Sequence, residues 1–193
     1  MVSKSLITIQ EINAVDDTLE PPASVSETTG ARPATDMPLP QLREQEGNFL
    51  VPSHLPNDFS LARSVSGGDA EVSIGYTKTD GKVHIRALQG RHHIQIPVKS
   101  GSAKTTAIGE TSGHLIRGSW VQHVHRDGRE DPITWSADSA ITIAFQEGDR
   151  WIMIRATPFP TRNGLSESEL LRVAGSMDRY DTVVQGAGSY AGF

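Results

Sequence analysis

Apolar and polar side chains alternate along much of the chain from Leu50 to about residue 157. This pattern is typical of strands that bury one face. Asp80-Gly81 separates two such runs and is a strong hairpin signal, because a two-residue turn of this kind requires positive φ at both central positions. The turn predicts the cross-strand pairs Ile74–Ala87 and Tyr76–Ile85.

A weaker turn signal, Gln89-Gly90, follows directly. It pairs Ile85 with Ile94 and Val83 with Ile96, which keeps the apolar residues on the face already set by the first turn. Together the two turns predict a three-stranded meander with one apolar face, formed by Glu71–Thr79, Lys82–Leu88 and Arg91–Val98.

Two more hairpins are predicted downstream. Asp127-Gly128 brings Trp120 opposite Trp135, and Gly148-Asp149 forms the last turn. The opposite face of that last hairpin carries Trp151 and Met153, so we expect it to be covered on both sides. Its predicted pairs are Phe145–Ile152, Ile143–Ile154 and Ile141–Ala156.

One helix follows the last hairpin. Ser166 and Glu169 have the spacing of a capping box, in which each side chain binds the other residue's backbone N–H. We expect the helix to end near Tyr180 and to pack on the sheet through a stripe formed by Leu170, Val173, Ala174 and Met177. The predicted fold class is α+β: mainly an antiparallel β-sheet of consecutive hairpins, with one C-terminal helix packed on it.

The N-terminal stretch has a different composition, rich in Pro, Ser, Thr, Glu and Ala. Such a segment buries too little apolar surface to offset its ordering entropy. Ile7 and Ile9 alternate with polar residues, which permits either frayed chain or a strand that docks on a partner. We divide the chain into a disordered or partner-docked arm at 1–48, the sheet-plus-helix domain at 49–181 and a flexible Gly-rich tail at 182–193.

Composition narrows the function classes. The net charge is -5 over 193 residues, and residues 1–45 carry three basic and seven acidic residues, so neither part resembles a basic nucleic-acid surface. The absence of cysteine excludes disulfides, thiolate metal sites and a Cys nucleophile. We also expect neither a transmembrane segment nor a secretory signal, because no apolar run is long enough.

The order of motifs resembles a known family. A hairpin with Trp120 and Trp135 precedes the strand WIMI at 151–154, and the helix LSESELLRVAGSM follows at 165–177. Upstream, VPSHLPNDFSLARSV at 51–65 resembles a P-x-x-L-P-x-G-Y entry into a first strand. This order resembles the bacterial domain-of-unknown-function family 4367, over residues 50–180.

The resemblance implies an extracytoplasmic domain associated with the cell envelope. Such domains are often joined to a transmembrane segment with anti-sigma-type partner domains, or to a lipoprotein anchor. The family implies no enzymatic activity, no cofactor and no catalytic residues. In outline it is similar to lipoprotein-carrier-type open sheets that hold apolar ligands. The lack of a membrane segment or signal in this chain departs from the family pattern, so the compartment stays undetermined.

Histidines and tryptophans are the candidate site residues. His123 and His125 project from one face of a predicted strand, with Glu130 opposite His125. Such a group can bind Zn²⁺ or a similar ion, although the same pattern is more commonly the solvated outer face of a sheet. The tryptophans are either core residues or the lining of a groove for an apolar ligand or partner segment. The predicted groove residues are Trp120, Trp135, Ile143, Ile154 and Met177.

Three functions fit these patterns. The first is a non-enzymatic binding or assembly module that engages a protein partner or a second copy through its sheet face, an edge strand or the N-terminal arm. The second is a carrier or envelope sensor domain for an apolar, lipid-like ligand. The third is a metal-dependent hydrolase that uses His123 and His125. Serine-based catalysis has no supporting motif.

Overall fold

The computed structural model describes residues 5–13, 18–19, 35–67, 72–157 and 165–186. These ranges contain thirteen strands and three helices. The strands are β1 (Ile7–Ile12), β2 (Thr18–Leu19), β3 (Thr35–Asp36), β4 (Leu50–Pro52), β5 (Phe59–Ser66), β6 (Val72–Lys78), β7 (His84–Gly90), β8 (Ile94–Lys99), β9 (Ala103–Ile108), β10 (Thr111–Val121), β11 (Ile133–Glu147), β12 (Arg150–Thr157) and β13 (Met177–Arg179). The helices are α1 (Leu39–Glu46), α2 (Glu167–Gly175) and α3 (Tyr180–Gly186).

Nine strands form one main sheet. Its order is β3-β5-β6-β7-β12-β11-β10-β9, and β2 pairs with β11 beside this path. Every pairing in this sheet is antiparallel. The predicted fold class, a mainly antiparallel sheet with a C-terminal helix, is confirmed.

Three of the four predicted hairpins have the predicted register. Asp80-Gly81 and Gly148-Asp149 fix which residues face each other on the strands that flank them. In the third hairpin the predicted register holds at Trp120–Trp135 and shifts by one residue nearer the Asp127-Gly128 turn. The confirmed pairs are Ile74–Ala87, Tyr76–Ile85, Trp120–Trp135, Phe145–Ile152, Ile143–Ile154 and Ile141–Ala156.

The predicted three-stranded meander is wrong in its third strand. β7 pairs with β12 on the edge where β8 was expected, and Ile154 of β12 lies opposite Ala87. β8 instead pairs in parallel with β1. Pro97 of β8 has no N–H to donate, so this strand is poorly suited to a central place in a sheet. We call the β1–β8 pair the ribbon.

The three helices cover one face of the main sheet. Leu42 of α1, Leu170 of α2 and Val183 of α3 are buried against sheet residues that include Ile143 and Ile154. Phe49 stacks on Tyr180 with ring centroids 5.1 Å apart, which joins the loop after α1 to the start of α3. No helix in the described ranges combines the length and apolar composition that crossing a membrane requires.

The capping box of α2 is confirmed, but the helix is shorter than predicted. The Ser166 hydroxyl accepts from the Glu169 backbone N–H, and the Glu169 carboxylate accepts from the Ser166 N–H. The helix ends at Gly175, and the Ser176 hydroxyl donates to the Val173 carbonyl. Met177 therefore lies on β13, paired with β4, instead of on the helical stripe.

Parts of both predicted terminal segments pack on the domain. Leu39 and Leu42 bury the inner face of α1, and Arg43 donates to the Asp181 carboxylate at 2.7 Å. The Pro/Ser-rich composition of residues 1–48 led to the prediction of an arm, although these two leucines have the i, i+3 spacing of a helix face. Val183 of α3 is likewise buried within the predicted tail. Residues 1–4, 14–17, 20–34 and 187–193 lie outside the described ranges.

The ribbon lies on the face of the sheet opposite the helices. Ile7 of β1 and Trp151 of β12 belong to a second apolar cluster, and the Ile94 N–H donates to the Leu6 carbonyl at 2.8 Å. The prediction that the last hairpin is covered on both faces is confirmed. β1 is thus an ordered strand that docks on its own chain, through residues that include Leu6, Ile9, Leu88, Ile94, Ile96 and Met153.

Candidate functional site

A groove with a volume of about 500 Å³ lies between the main sheet and the ribbon. We call it the outer groove. Strands of the main sheet form its floor, and β8 forms one side. Its lining residues are Val65, Gly67, Ser73, Arg86, Leu88, Ile94, Gln95, Ile96, Pro97, Val98, Ile116, Gly118, Ser119, Trp120, Trp135, Thr142, Trp151, Met153 and Arg155.

A row of four residues in register crosses the floor. Arg86 on β7 lies opposite Arg155 on β12, Thr142 on β11 follows, and Ile116 on β10 completes the row. Residues directly opposite in antiparallel strands have Cβ atoms roughly 4.5–5.5 Å apart. The two arginines therefore leave the sheet side by side.

Arg155 is partly buried in this row. Burial lowers the pKa of its guanidinium, and the neighbouring Arg86 charge lowers that pKa further. Arginine nonetheless stays protonated near neutral pH in proteins. Arg86 is more exposed, and its Nε donates to Ser73 Oγ at 2.9 Å. The floor thus carries two positive charges.

No carboxylate faces these charges from the described lining, since none of the nineteen residues is Asp or Glu. Most of the remaining lining is aliphatic or aromatic. An apolar groove with an uncompensated cation pair on its floor is complementary to a molecule with an apolar body and an anionic group.

Tryptophan indoles supply the aromatic part of the lining. Trp120 and Trp135 meet edge to face, with ring centroids 5.2 Å apart and planes inclined by 75°. Trp135 lies over Gly118, and Trp151 lies over Gly90. A Cβ at either glycine would come within 2.8 Å of the indole, so both glycines are needed for the rings to take these positions.

Three buried donors at the groove have no hydrogen-bond acceptor among the described residues. They are Nε1 of Trp120, Nε1 of Trp151 and Nε of Arg155. A buried donor without a partner costs roughly 1–3 kcal/mol. All three atoms are donors, so the chemistry that would satisfy them is that of an acceptor.

The ribbon supplies the side of the groove formed by β8. Five consecutive residues of that strand, 94–98, line the groove. β1 holds β8 in place through a parallel register that runs from Ile7–Ile94 to Ile12–Lys99. The side chain of Ile7 is 8% exposed. Apolar packing therefore holds β1 in place in addition to its backbone hydrogen bonds with β8.

The structure separates the five predicted groove residues. Trp120 and Trp135 line the outer groove, as a pair. Ile143 and Ile154 are fully buried on the other face, beneath the helices, and Met177 lies on β13. The two faces of one sheet cannot line one groove, so the predicted groove between sheet and helix is wrong.

The predicted metal site is not assembled either. His125 Nε2 lies 3.0 Å from an Asp131 oxygen, while Glu130 accepts from Gln122 and lies opposite Val124 instead of His125. An irregular turn after β10 causes this one-residue shift. In the described part of the chain, no group of three His, Cys, Asp or Glu residues is placed to hold a metal ion.

Sequence reasoning missed Arg86, Arg155 and Trp151 as groove residues. Alternation did place Trp151 and Arg155 on the same face, because they lie four residues apart on one strand. The sequence signal for this site is Arg155, a charged residue between Ile154 and Ala156 in an otherwise apolar run. The arginine pair could not be recognised without the β7–β12 pairing, which brings Arg86 beside Arg155.

Comparisons with known proteins assign no family to this chain. No family model matches the chain, and no curated protein matches it. The resemblance to family 4367 therefore stays a prediction. A crystal structure of a protein from Bacteroides thetaiotaomicron VPI-5482 is similar at 13% identity and a TM-score of 0.38, over 68% of this chain. This chain spans about half, 47%, of that protein's chain.

Proposed function

We propose that the chain is a non-catalytic ligand-binding domain, a carrier or sensor that holds an elongated apolar molecule in the outer groove. One observation carries this proposal: all three tryptophans of the chain line a single groove together with aliphatic side chains. The resemblance to family 4367 supports placing this role outside the cytoplasmic membrane.

The dimensions and exposure of the groove support a binding role over simple packing. Its volume of about 500 Å³ is within the range of small-molecule sites. Trp120 and Trp135 are only partly buried, in contrast to the fully buried residues beneath the helices. Large apolar side chains that line an open concave surface are typical of sites that an apolar ligand covers.

The composition of the lining supports binding over catalysis. Among the described lining residues there is no His, Asp, Glu, Lys, Tyr or Cys, the side chains that usually act as general bases or nucleophiles. The Ser119 hydroxyl is 2.6 Å from the Ser139 hydroxyl, which cannot activate it as a base would. The groove is equipped to hold a molecule and not to transform it.

Titration with a neutral apolar dye tests the proposal. We expect Nile red to bind saturably at about one molecule per chain, with increased fluorescence. Trp120→Ala should weaken this binding about 10-fold, because truncating a large aromatic anchor removes much of the apolar contact. Val124→Ala, at an exposed position outside the groove, is the matched control and should change nothing. Non-saturable binding, or binding unaffected by Trp120→Ala, would overturn the proposal.

A second candidate function is assembly through a sheet edge. β9 is the last strand in the order of the main sheet, and its outer side has no strand partner among the described residues. Such an edge can add a strand from a protein partner or a second copy of this chain. Native mass spectrometry over a range of protein concentrations tests self-association directly. A growing dimer population supports edge pairing, and a monomer at every concentration argues against it.

A further inference from the structure

Two like charges stand next to each other on the floor of the outer groove. Arg86 and Arg155 are directly opposite in the β7–β12 register, a placement that is destabilising for like charges. Arg155 makes no ion pair in the described part of the chain, and the neighbouring Arg86 charge acts unfavourably on it. The groove thus retains a repulsion between two like charges that an anion would relieve.

Buried hydrogen-bond donors near the arginine pair also favour an anionic group, because an anion can accept their hydrogen bonds. Within the described ranges, Arg155 Nε and Trp151 Nε1 have no acceptor, and neither has Trp120 Nε1 on the far side of the groove. Modest side-chain rotation is needed for a ligand to reach them, because each atom is buried. The charge and the hydrogen-bonding capacity of the floor both favour an oxyanion.

The remaining lining residues of the groove favour a ligand whose body is apolar. Leu88, Ile94, Ile96 and Met153 line it together with the indoles, so a polar body would lose hydration without compensation. None of the described lining residues is a lysine, and guanidinium groups match the planar geometry of a carboxylate better than ammonium groups do.

We infer that the outer groove takes a single-chain amphiphile with a carboxylate head group, the carboxylate seated on Arg86 and Arg155 and the chain along the indoles and the ribbon. This inference rests on the proposed function, because it names the class of molecule that the same groove holds. The cation pair is a recognition element, and Arg155, as the more buried member, contributes the larger share.

Three ligands with the same alkyl chain and different head groups test the inference in the 193-residue protein. Calorimetric titration measures the head-group preference with dodecanoate and dodecyltrimethylammonium below their micelle concentrations and with dodecanol below its solubility limit. We expect dodecanoate to bind at least about 10-fold more tightly than dodecanol, since hydrogen bonds to charged groups contribute at least this much. Dodecyltrimethylammonium should bind more weakly than dodecanol because it adds a third positive charge.

Substitutions assign the preference to the arginine pair. Arg155→Gln should remove most of the preference for dodecanoate over dodecanol, measured as the ratio of the two dissociation constants. Arg155→Lys should give an intermediate preference, because it keeps the charge and loses the planar fork. Arg126→Gln removes the same charge at an exposed position outside the groove and should have no effect. Circular dichroism confirms that each variant is folded before it is titrated.

The outcomes separate the inference from the proposed function. Equal binding of dodecanoate and dodecanol overturns the head-group inference and leaves the apolar groove intact. A preference for dodecanoate that survives Arg155→Gln also overturns the inference, because another group must then hold the carboxylate. Failure of all three molecules to bind contradicts the proposed function itself.

Discussion

The indole of Trp135 lies directly against the backbone of Gly118. A Cβ on Gly118 would lie 2.7 Å from Trp135 Nε1 and 2.7 Å from the Ser136 carbonyl, and Gly118 also has a φ of +97°. We therefore expect Gly118→Ala to destabilise the fold by about 2 kcal/mol or more, from backbone strain and from displacement of the indole. Urea unfolding measures this. Gly75→Ala, whose Cβ would make only ordinary contacts, is the control and should be nearly neutral.

The arginine pair predicts an unusual stability effect in the ligand-free protein. Arg155→Met keeps the aliphatic contacts of the side chain and removes a desolvated charge, an unpaired donor and the repulsion from Arg86. We expect a gain of roughly 0.5–1 kcal/mol in the free energy of unfolding. Arg126→Met should leave stability unchanged. A loss of stability in Arg155→Met would show that the arginine has a favourable partner in the folded chain.

The ribbon is predicted to open separately from the main sheet. Ile9 packs in the second apolar cluster, so Ile9→Asp places a charge against apolar neighbours and should release β1. Backbone amides of β8 should then exchange with deuterium faster, while those of β11 and β12 keep their protection. Gln10→Asp introduces the same charge at an exposed position of the same strand and should leave β8 protected. Uniform loss of protection over all strands would contradict a separate ribbon.

The capping box of α2 predicts a pH-dependent contribution to stability. The pKa of Glu169 is held below its usual value because its carboxylate accepts hydrogen bonds from the Ser166 backbone N–H and hydroxyl. A lowered folded-state pKa contributes stability above the unfolded value near 4.5, and this contribution is lost as the pH falls through the folded-state pKa.

Two variants test this contribution. Ser166→Ala should cost about 1 kcal/mol at pH 7. Glu169→Gln should also be less stable than the unmodified chain at pH 7, with a difference that shrinks as the pH falls below 4.5. Glu110→Gln, at an exposed position outside the helix, should show no such convergence. Denaturant unfolding at several pH values gives the comparison, and a difference that is constant with pH would count against the carboxylate.

Local chemistry explains which parts of the fold the sequence predicts. Asp80-Gly81 and Gly148-Asp149 are turns whose residues fix the pairing of the strands on each side, and those registers are observed. The predicted pair Trp120–Trp135 is observed as well, although the pairing shifts by one residue nearer Asp127-Gly128. Ser166 and Glu169 likewise start α2 through contacts within one helical turn. In each case the deciding residues are close together in the sequence.

Pairings between distant parts of the chain were not predictable in the same way. The sequence placed β8 beside β7 because the apolar residues of both strands then share one face. This match does not identify the correct partner strand, because any alternating strand keeps its apolar residues on one face when it is moved by two residues. β12 competes for that edge with Ile154 and Ala156, and β1 competes for β8 with Ile7. Only the complete set of strands decides between these partners.

The same difference between local and distant pairings decides which parts of the candidate site the sequence predicts. Trp120 and Trp135 were recognisable as a cross-strand pair because one hairpin contains both. The Arg86–Arg155 pair joins strands more than sixty residues apart, and the side of the groove formed by β8 depends on β1. Ile143 and Ile154 were assigned to a groove because alternation identifies one apolar face without showing what covers it.

Indole N–H resonances test the central claim most directly. The chain has three tryptophans and all three line the outer groove, so these three resonances report on the groove alone. During a titration of the ¹⁵N-labelled protein with dodecanoate, we predict that all three shift and reach saturation together. Indole resonances that stay unchanged, while dodecanoate is shown to bind elsewhere or not at all, would contradict the account.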